Sequence, residues 1–231
     1  MSPPNALKLL TSNSMRGVLD ELIPELERTG GARIAASFDP AQIMLQRIAG
    51  GETADLTILG QAAIDELTRQ GKLVHGSQRT LARFGVGIGV RAGAPKPDVS
   101  TVDALKRALL DAKSVAYTSS GASGIHFAKV IERLGIASEV KAKAVNQPGG
   151  LIGERVVSGE AEIAIQQIPE LMAVPGVELV GPLPQALQNI SVVAGGVFAD
   201  SKNRDAAQAL LASFSSPASA RVFRAKGLEP A

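Results

Sequence analysis

Apolar and polar positions alternate between two periods along this chain. In "ALKLLTSNSMRGVLDELIPELERTGG" a short apolar strand near Leu7–Leu10 meets a serine-rich turn, Thr11–Ser14. Met15, Val18, Leu19, Leu22, Ile23 and Leu26 then recur at helical spacing until Gly30-Gly31, which predict the helix stop. Pro24 falls inside that stripe and predicts a kink or a break. A strand is expected at Arg33–Ala36. The turn "SFDPAQ" follows, with Pro40 at the first helical position and Ser37 or Asp39 as cap. In "GGETADLTILG", Gly51 ends a helix running from about Ala41, and Leu56–Leu59 forms a buried strand. Strand, helix, strand, helix, strand in this order predicts an α/β fold with a mainly parallel sheet covered by helices.

The second half repeats the plan. "SVAYTSSGASGIHFAKVIERLG" is an apolar strand ending at Thr118, a Ser/Gly turn, and a helical stripe of Phe127, Val130, Ile131 and Leu134 closed by Gly135. "SGEAEIAIQQ" matches "GGETADLTIL" in the same order, and Thr118 follows Thr11 by 107 residues, so two similar α/β lobes are expected. The glycine-punctuated segments Arg83–Pro97 and Asn189–Asp200 read as long strands passing from one lobe to the other, which makes the first lobe discontinuous. The C-terminal segment predicts two helices broken at Pro217.

Composition narrows the chemistry. The chain has 231 residues, 45% of them hydrophobic, enough for a large core. Twenty-four Lys and Arg against 22 Asp and Glu leave +2 and no block of like charge, and one tyrosine with no tryptophan supplies little base stacking. Neither nucleic acid nor an acidic membrane is an expected partner. Without cysteine there is no disulfide, thiolate nucleophile or Cys-ligated metal. With only His75 and His126 a histidine metal site is not expected, nor is any cofactor. No apolar run reaches membrane-spanning length. "MSPPNALKLL" lacks a basic stretch followed by an apolar one, so either the protein is cytosolic or a leader was removed and Met1 added; in the second case it is periplasmic.

Candidate site residues gather where strands end and helices begin. There unpaired N–H groups and the helix dipole favour an anion. Ser12, Asn13 and Ser14 hold this position in the first half, and Ser119, Ser120 and Ser123 with its neighbour Gly124 in the second. Their hydroxyls either cap the helices or donate to a ligand. Ser37 is a further candidate, whereas Asp39 would reject an anion. Arg16 and Arg83 suit a carboxylate or are surface charges. Gln147 in "NQPGG" and the pair Gln166-Gln167 are polar groups at strand ends. His126, in the first turn of its helix, either sits on the helix surface, binds an anionic group when protonated, or moves a proton. "GASGI" is not a Gly-x-Ser-x-Gly nucleophile elbow, and "GVGIGV" is followed by "RAGAPKP" rather than by a helix, so neither hydrolase nor dinucleotide site is expected.

Together "GGETADLTILG", "GVGIGVRAGAP", "TSSGASGIHFAKVIERLG" and "SGEAEIAIQQIPEL" resemble the type II periplasmic solute-binding proteins, especially their molybdate-binding-like branch, over nearly the whole chain. The resemblance implies two Rossmann-like lobes joined by two crossing strands, residues 1–82 plus 195–231 and residues 83–194, with a ligand cleft between them. It implies a small anionic solute, an ABC-type transporter permease as partner, and Ser12, Ser37 and Ser123 as ligand turns. A glutamine stands where some molybdate binders place a tyrosine; with His126 and Arg16, this favours an organic carboxylate over molybdate. A related branch contains aconitate isomerases, on which His126 would be the base.

Overall fold

The computed structural model describes residues 6–30 and 32–231. Gly31, the second half of the expected helix stop, and the first five residues lie outside them. The chain runs β1 (Ala6–Ser12), a 3-10 turn (Asn13–Met15), α1 (Arg16–Gly30), β2 (Arg33–Asp39), α2 (Ala41–Ala49), β3 (Leu56–Gly60), α3 (Gln61–Arg69) and β4 (Arg79–Phe84). It continues as β5 (Val86–Arg91), α4 (Val102–Asp111), β6 (Val115–Thr118), α5 (Ala122–Arg133), α6 (Ala137–Ala142), β7 (Ala144–Gln147), α7 (Glu154–Val157), β8 (Ile163–Gln167), α8 (Ile168–Met172) and β9 (Val177–Pro182). It ends with β10 (Ser191–Val197), α9 (Arg204–Ser213), α10 (Pro217–Ala225) and β11 (Glu229–Pro230). Among the described residues no helix is long and apolar enough to cross a membrane.

Two compact units result, Met1–Arg83 with Ser191–Ala231, and Phe84–Ile190. The first holds a six-stranded sheet in the order β11-β4-β10-β3-β1-β2, in which β1 pairs in parallel with both β2 and β3 while β10 runs antiparallel to β3. The second holds a five-stranded sheet in the order β7-β6-β8-β5-β9, in which β6 pairs in parallel with both β7 and β8 while β5 runs antiparallel to β8. The sequence echo is thus an echo of topology: β1, β2, β3 and β10 correspond to β6, β7, β8 and β5.

Each sheet is covered as its side-chain alternation requires. In the first unit Leu10 and Leu59 pack with Met44 and Ile48 of α2 and Ile64 and Leu67 of α3. In the second, Val115, Tyr117, Ile163 and Ile165 face Leu105, Phe127 and Val130, and the Phe127 ring meets Tyr117 edge-on at 5.1 Å. Ala116 and Ala164 point the other way, toward Ile152, Val156 and Leu171. The glycines of "GVGIGV" belong to this second face. A Cβ on Gly87 would come within 2.6 Å of the Ile168 side chain, and one on Gly89 within 2.9 Å of Val177, so they let α8 lie directly on β5.

Two local expectations change. Pro24 lies within α1 without ending it, at an exposed position of the helix. Ser37 and Asp39 do not cap α2. Strand β2 extends through Asp39, Pro40 occupies the N-cap position rather than the first helical one, and no side-chain cap bond forms. The reason lies in Arg47 of α2. Its guanidinium donates to Ser37 Oγ at 3.0 Å, to Asp39, and to both oxygens of Glu52 at 2.7 Å, which keeps the end of β2 extended. These bonds from Arg47 hold the Glu52 carboxyl below the usual carboxylate range.

Candidate functional site

In the first unit the end of β1 delivers Ser12 and Ser14 into buried positions with their hydroxyl oxygens 2.8 Å apart. One hydroxyl donates to the other, so the pair retains one free O–H and spare lone pairs. Asn13 lies between them, half-buried. Arg16 starts α1 and is exposed, yet its guanidinium lies 4.2 Å above the centre of the Phe38 ring. This stacking is worth about 0.5–1 kcal/mol at an exposed site and leaves the edge N–H donors available. Among the described residues Arg16 has no acidic partner within salt-bridge distance. Ser37 neighbours this group on β2, opposite Leu10, but Arg47 occupies one side of its hydroxyl. Arg83 is not brought to it: it sits on β4 opposite Glu229, three strands from β1, about 14 Å at ordinary strand spacing.

In the second unit the end of β6 leads into the turn before α5. Ser119 Oγ donates to the Gln147 carbonyl at 3.4 Å and Ser120 Oγ donates to the Pro148 carbonyl, while both backbone N–H groups bond the same two carbonyls. These hydroxyls fasten the turn to the loop after β7. Ser123 differs. It is 4% exposed, and its hydroxyl does not join Ser119 and Ser120 in fastening the turn to the loop after β7. Gly124 is required beside it, because a Cβ there would overlap the Thr118 carbonyl oxygen. Thr118 Oγ1, on a residue 2% exposed, is the one buried side-chain polar atom among the described residues that lacks a partner. A buried hydroxyl without a partner carries a cost of about 1–3 kcal/mol.

Gln147 and Gln166 lie at the ends of β7 and β8, the two strands that flank β6. Gln147 accepts from Arg155 Nε at 2.9 Å and donates to Gly149 O at 2.8 Å. Gln166, 2% exposed, accepts from the Ile152 N–H and donates to Gly150 O, both at 2.8 Å. Its amide thus orders the turn at Gly150–Ile152. Gln167, half-buried, is the N-cap of α8. His126 is half-buried on α5 with Nε2 2.8 Å from the Leu187 carbonyl, so Nε2 carries the donated proton and only Nδ1 is left for other chemistry.

The sequence reading missed Glu170. It is the third residue of α8, half-buried, just beyond Gln166 and Gln167 at the end of β8. Desolvation outweighs the neighbouring Gln167 and Gln166 polar groups and pushes the carboxyl up to about 7. In the sequence, Glu170 is only an acidic residue at a helix start, an ordinary feature.

The sequence pattern of the family described as bacterial extracellular solute-binding protein matches residues 7–229. The chain belongs to this family. It is 33% identical over 234 residues to an aconitate isomerase from a Pseudomonas species, covering 99% of this chain and 89% of that protein. Among solved structures it is similar to the molybdate-binding periplasmic protein of Azotobacter vinelandii, with TM-score 0.78, 16% identity, and 96% and 98% of the two chains covered. It is also similar to the substrate-binding domain of a molybdenum ABC transporter protein from Clostridium difficile, with TM-score 0.77, 18% identity, and 98% and 99% covered. The fold is that of the type II periplasmic binding proteins.

Proposed function

We propose that this protein binds a small carboxylate-bearing anion, and that the serine turn after β1 and the serine turn after β6 each supply ligand-binding groups. The observation that carries the reading is the Arg16 guanidinium, stacked on Phe38 beside the Ser12–Ser14 pair and without an acidic partner among the described residues. A planar fork held in place can pair with a carboxylate in two-point fashion, and the 33% identity to an aconitate isomerase favours a carboxylate over a tetrahedral oxyanion, which the same fork could also hold. Membership of a solute-binding family supports a further part of the proposal, that the protein works outside the cytoplasm and passes its ligand to an ABC-type permease.

A panel of aconitate isomers, citrate, sulfate and molybdate, read by ligand-induced thermal stabilisation, tests this. The polycarboxylates are expected to raise the melting temperature most, and the double variant Ser12→Ala with Ser123→Ala to abolish that rise. Full stabilisation of the double variant by the best ligand would sink the assignment of the turns, and a response to molybdate alone would sink the carboxylate.

A second reading, isomerisation of an unsaturated polycarboxylate, is favoured by the 33% identity to an aconitate isomerase across 99% of the chain. Such an activity moves one proton between two carbons and needs no cofactor. Proton NMR of either aconitate isomer incubated with the protein in D2O separates the readings: conversion, with or without deuterium uptake, defines the enzyme, and binding without conversion or exchange defines a receptor.

A further inference from the structure

Gln166 is a polar residue at a place where the pattern of β8 calls for an apolar one. Side chains alternate along Ile163–Gln167, so Gln166 shares the face of Ala164, which packs with Ile152, Val156 and Leu171. It is 2% exposed, and an amide buried there carries a cost unless both its ends are bonded. Both are. Gln166 Oε1 accepts from the Ile152 N–H and Nε2 donates to Gly150 O, each at 2.8 Å, so one side chain holds a donor and an acceptor of the loop after β7.

That loop carries the start of α5. Strand β7 ends at Gln147, which pairs with Thr118 of β6; beyond it Pro148 has no N–H to join a ladder, and Gly150 turns the chain with φ 92°. The Ser119 N–H and hydroxyl both bond the Gln147 carbonyl, at 2.8 and 3.4 Å. The Ser120 N–H and hydroxyl both bond the Pro148 carbonyl, the N–H at 3.3 Å. Gly121, the N-cap of α5, and the buried Ser123 follow directly. Gln147 is held by the sheet, and Pro148 lies between it and the segment that Gln166 holds.

We propose that Gln166 is a positioning residue for ligand binding: it does not touch the solute, and it sets the start of α5 through residues 148–152. The proposal rests on the reading of the serine turn after β6 as ligand-binding. An apolar side chain at position 166 would fill the core as well, but it would leave the Ile152 N–H and the Gly150 carbonyl without their partner. The loop, not the core, is what requires glutamine.

The test uses the full chain, calorimetric titration with cis- and trans-aconitate as probes, and hydrogen exchange of single amides by NMR. Gln166→Met keeps the volume and loses both bonds. It is expected to fold, to bind the probes about 10-fold more weakly, and to exchange the Ser119, Ser120 and Ile152 amides about 10-fold faster, with Tyr117 and Ile165 in the paired strands unchanged. Gln166→Glu supplies a rescue that packing alone cannot. Its protonated carboxyl reproduces both bonds, accepting from Ile152 and donating to Gly150, whereas the ionised form has no proton for the Gly150 carbonyl. Burial raises a carboxyl pKa, so at about pH 5 this variant is expected to bind within about threefold of wild type, and at about pH 8 to bind about 10-fold more weakly than wild type at the same pH. The charged residues on the helices packed against β8 are Glu154 and Arg155 of α7 and Glu170 of α8; β6, and β5 through Val90, add none. Wild type carries them all, so the ratio at each pH removes their own titration. Binding by both Gln166 variants that matches wild type at every pH, while Ser123→Ala loses affinity, overturns the proposal and leaves the turn as a ligand site. Unchanged exchange at Ser119 and Ser120 in Gln166→Met overturns it whatever the binding shows. Ser123→Ala protein that binds as tightly as wild type overturns the reading of the turn, and the proposal with it.

Discussion

The turn after β1 and the turn after β6 occupy corresponding places in two corresponding sheets, yet they are built for different tasks. Aligned at 107 residues, Thr11 falls on Thr118, Arg16 on Ser123 and Gly17 on Gly124. In the first turn the threonine is satisfied, its Oγ1 donating to Ile58 O at 2.9 Å, and the serine hydroxyls pair with each other. In the second the threonine hydroxyl is left unpartnered and the first two serines are fastened to carbonyls 28 residues away. The first turn is followed by a cation, Arg16, and the matching position of the second holds the buried Ser123. A repeated βα turn keeps its place at the sheet edge, while single side chains decide which of its polar groups are satisfied within the fold.

Three experiments would break or sharpen this contrast. The largest effect is expected from Gly124→Ala, whose methyl would meet the Thr118 carbonyl backbone: a loss of about 3 kcal/mol, read as a shift of the denaturation midpoint. A near-neutral result would mean that the second turn is looser than described. Next, Arg16→Ala is expected to weaken binding of a carboxylate ligand by about 10- to 100-fold, against about threefold to tenfold for Ser123→Ala at the matching position. Arg16→Lys should restore less than half of the lost binding free energy, since an ammonium cannot make the two-point contact. Equal effects of Arg16→Ala and Ser123→Ala in calorimetric titrations would erase the assignment of charge to the first turn. The smallest effect concerns the threonines. Thr11→Val should cost about 1 kcal/mol, while Thr118→Val should be neutral or slightly stabilising in the ligand-free protein because it removes an unsatisfied hydroxyl. Equal costs in urea unfolding would show that Thr118 is satisfied after all.

Much of the fold was legible because its signals are local. Gly51 and Gly135 follow their helices with φ of 93° and 67°, a conformation that favours glycine, and Ser216 caps the helix that starts at Pro217 as its residue type predicts. The site was legible in position more than in detail. Serines at strand ends can be read from sequence, but whether a hydroxyl is free depends on carbonyls elsewhere, as Ser119 and Ser120 show with Gln147 and Pro148. Ser37 and Asp39 read as a turn because their partner, Arg47, acts from the following helix. His126 suggested itself by rarity, yet its Nε2 is committed to Leu187 O, 61 residues on. Glu170 left no mark in the sequence, since its raised carboxyl comes from desolvation by surrounding chain rather than from any local pattern.

The division of the chain also sets an order of assembly. Every residue of the second unit, Phe84–Ile190, leaves the ribosome before Ser191, whereas the first unit needs β10 from beyond that point to complete its sheet. Until then β3 presents a row of unpaired N–H and C=O groups along Leu56–Gly60, an exposed edge of the kind that recruits stray strands. Closing it means joining Gly60 to Val193 across more than a hundred intervening residues, a loop-entropy cost that rises only with the logarithm of length and shrinks once that insert has collapsed into its own core. The second unit is therefore the natural first foldon, and the half of the molecule that carries Arg16 is the last to be finished.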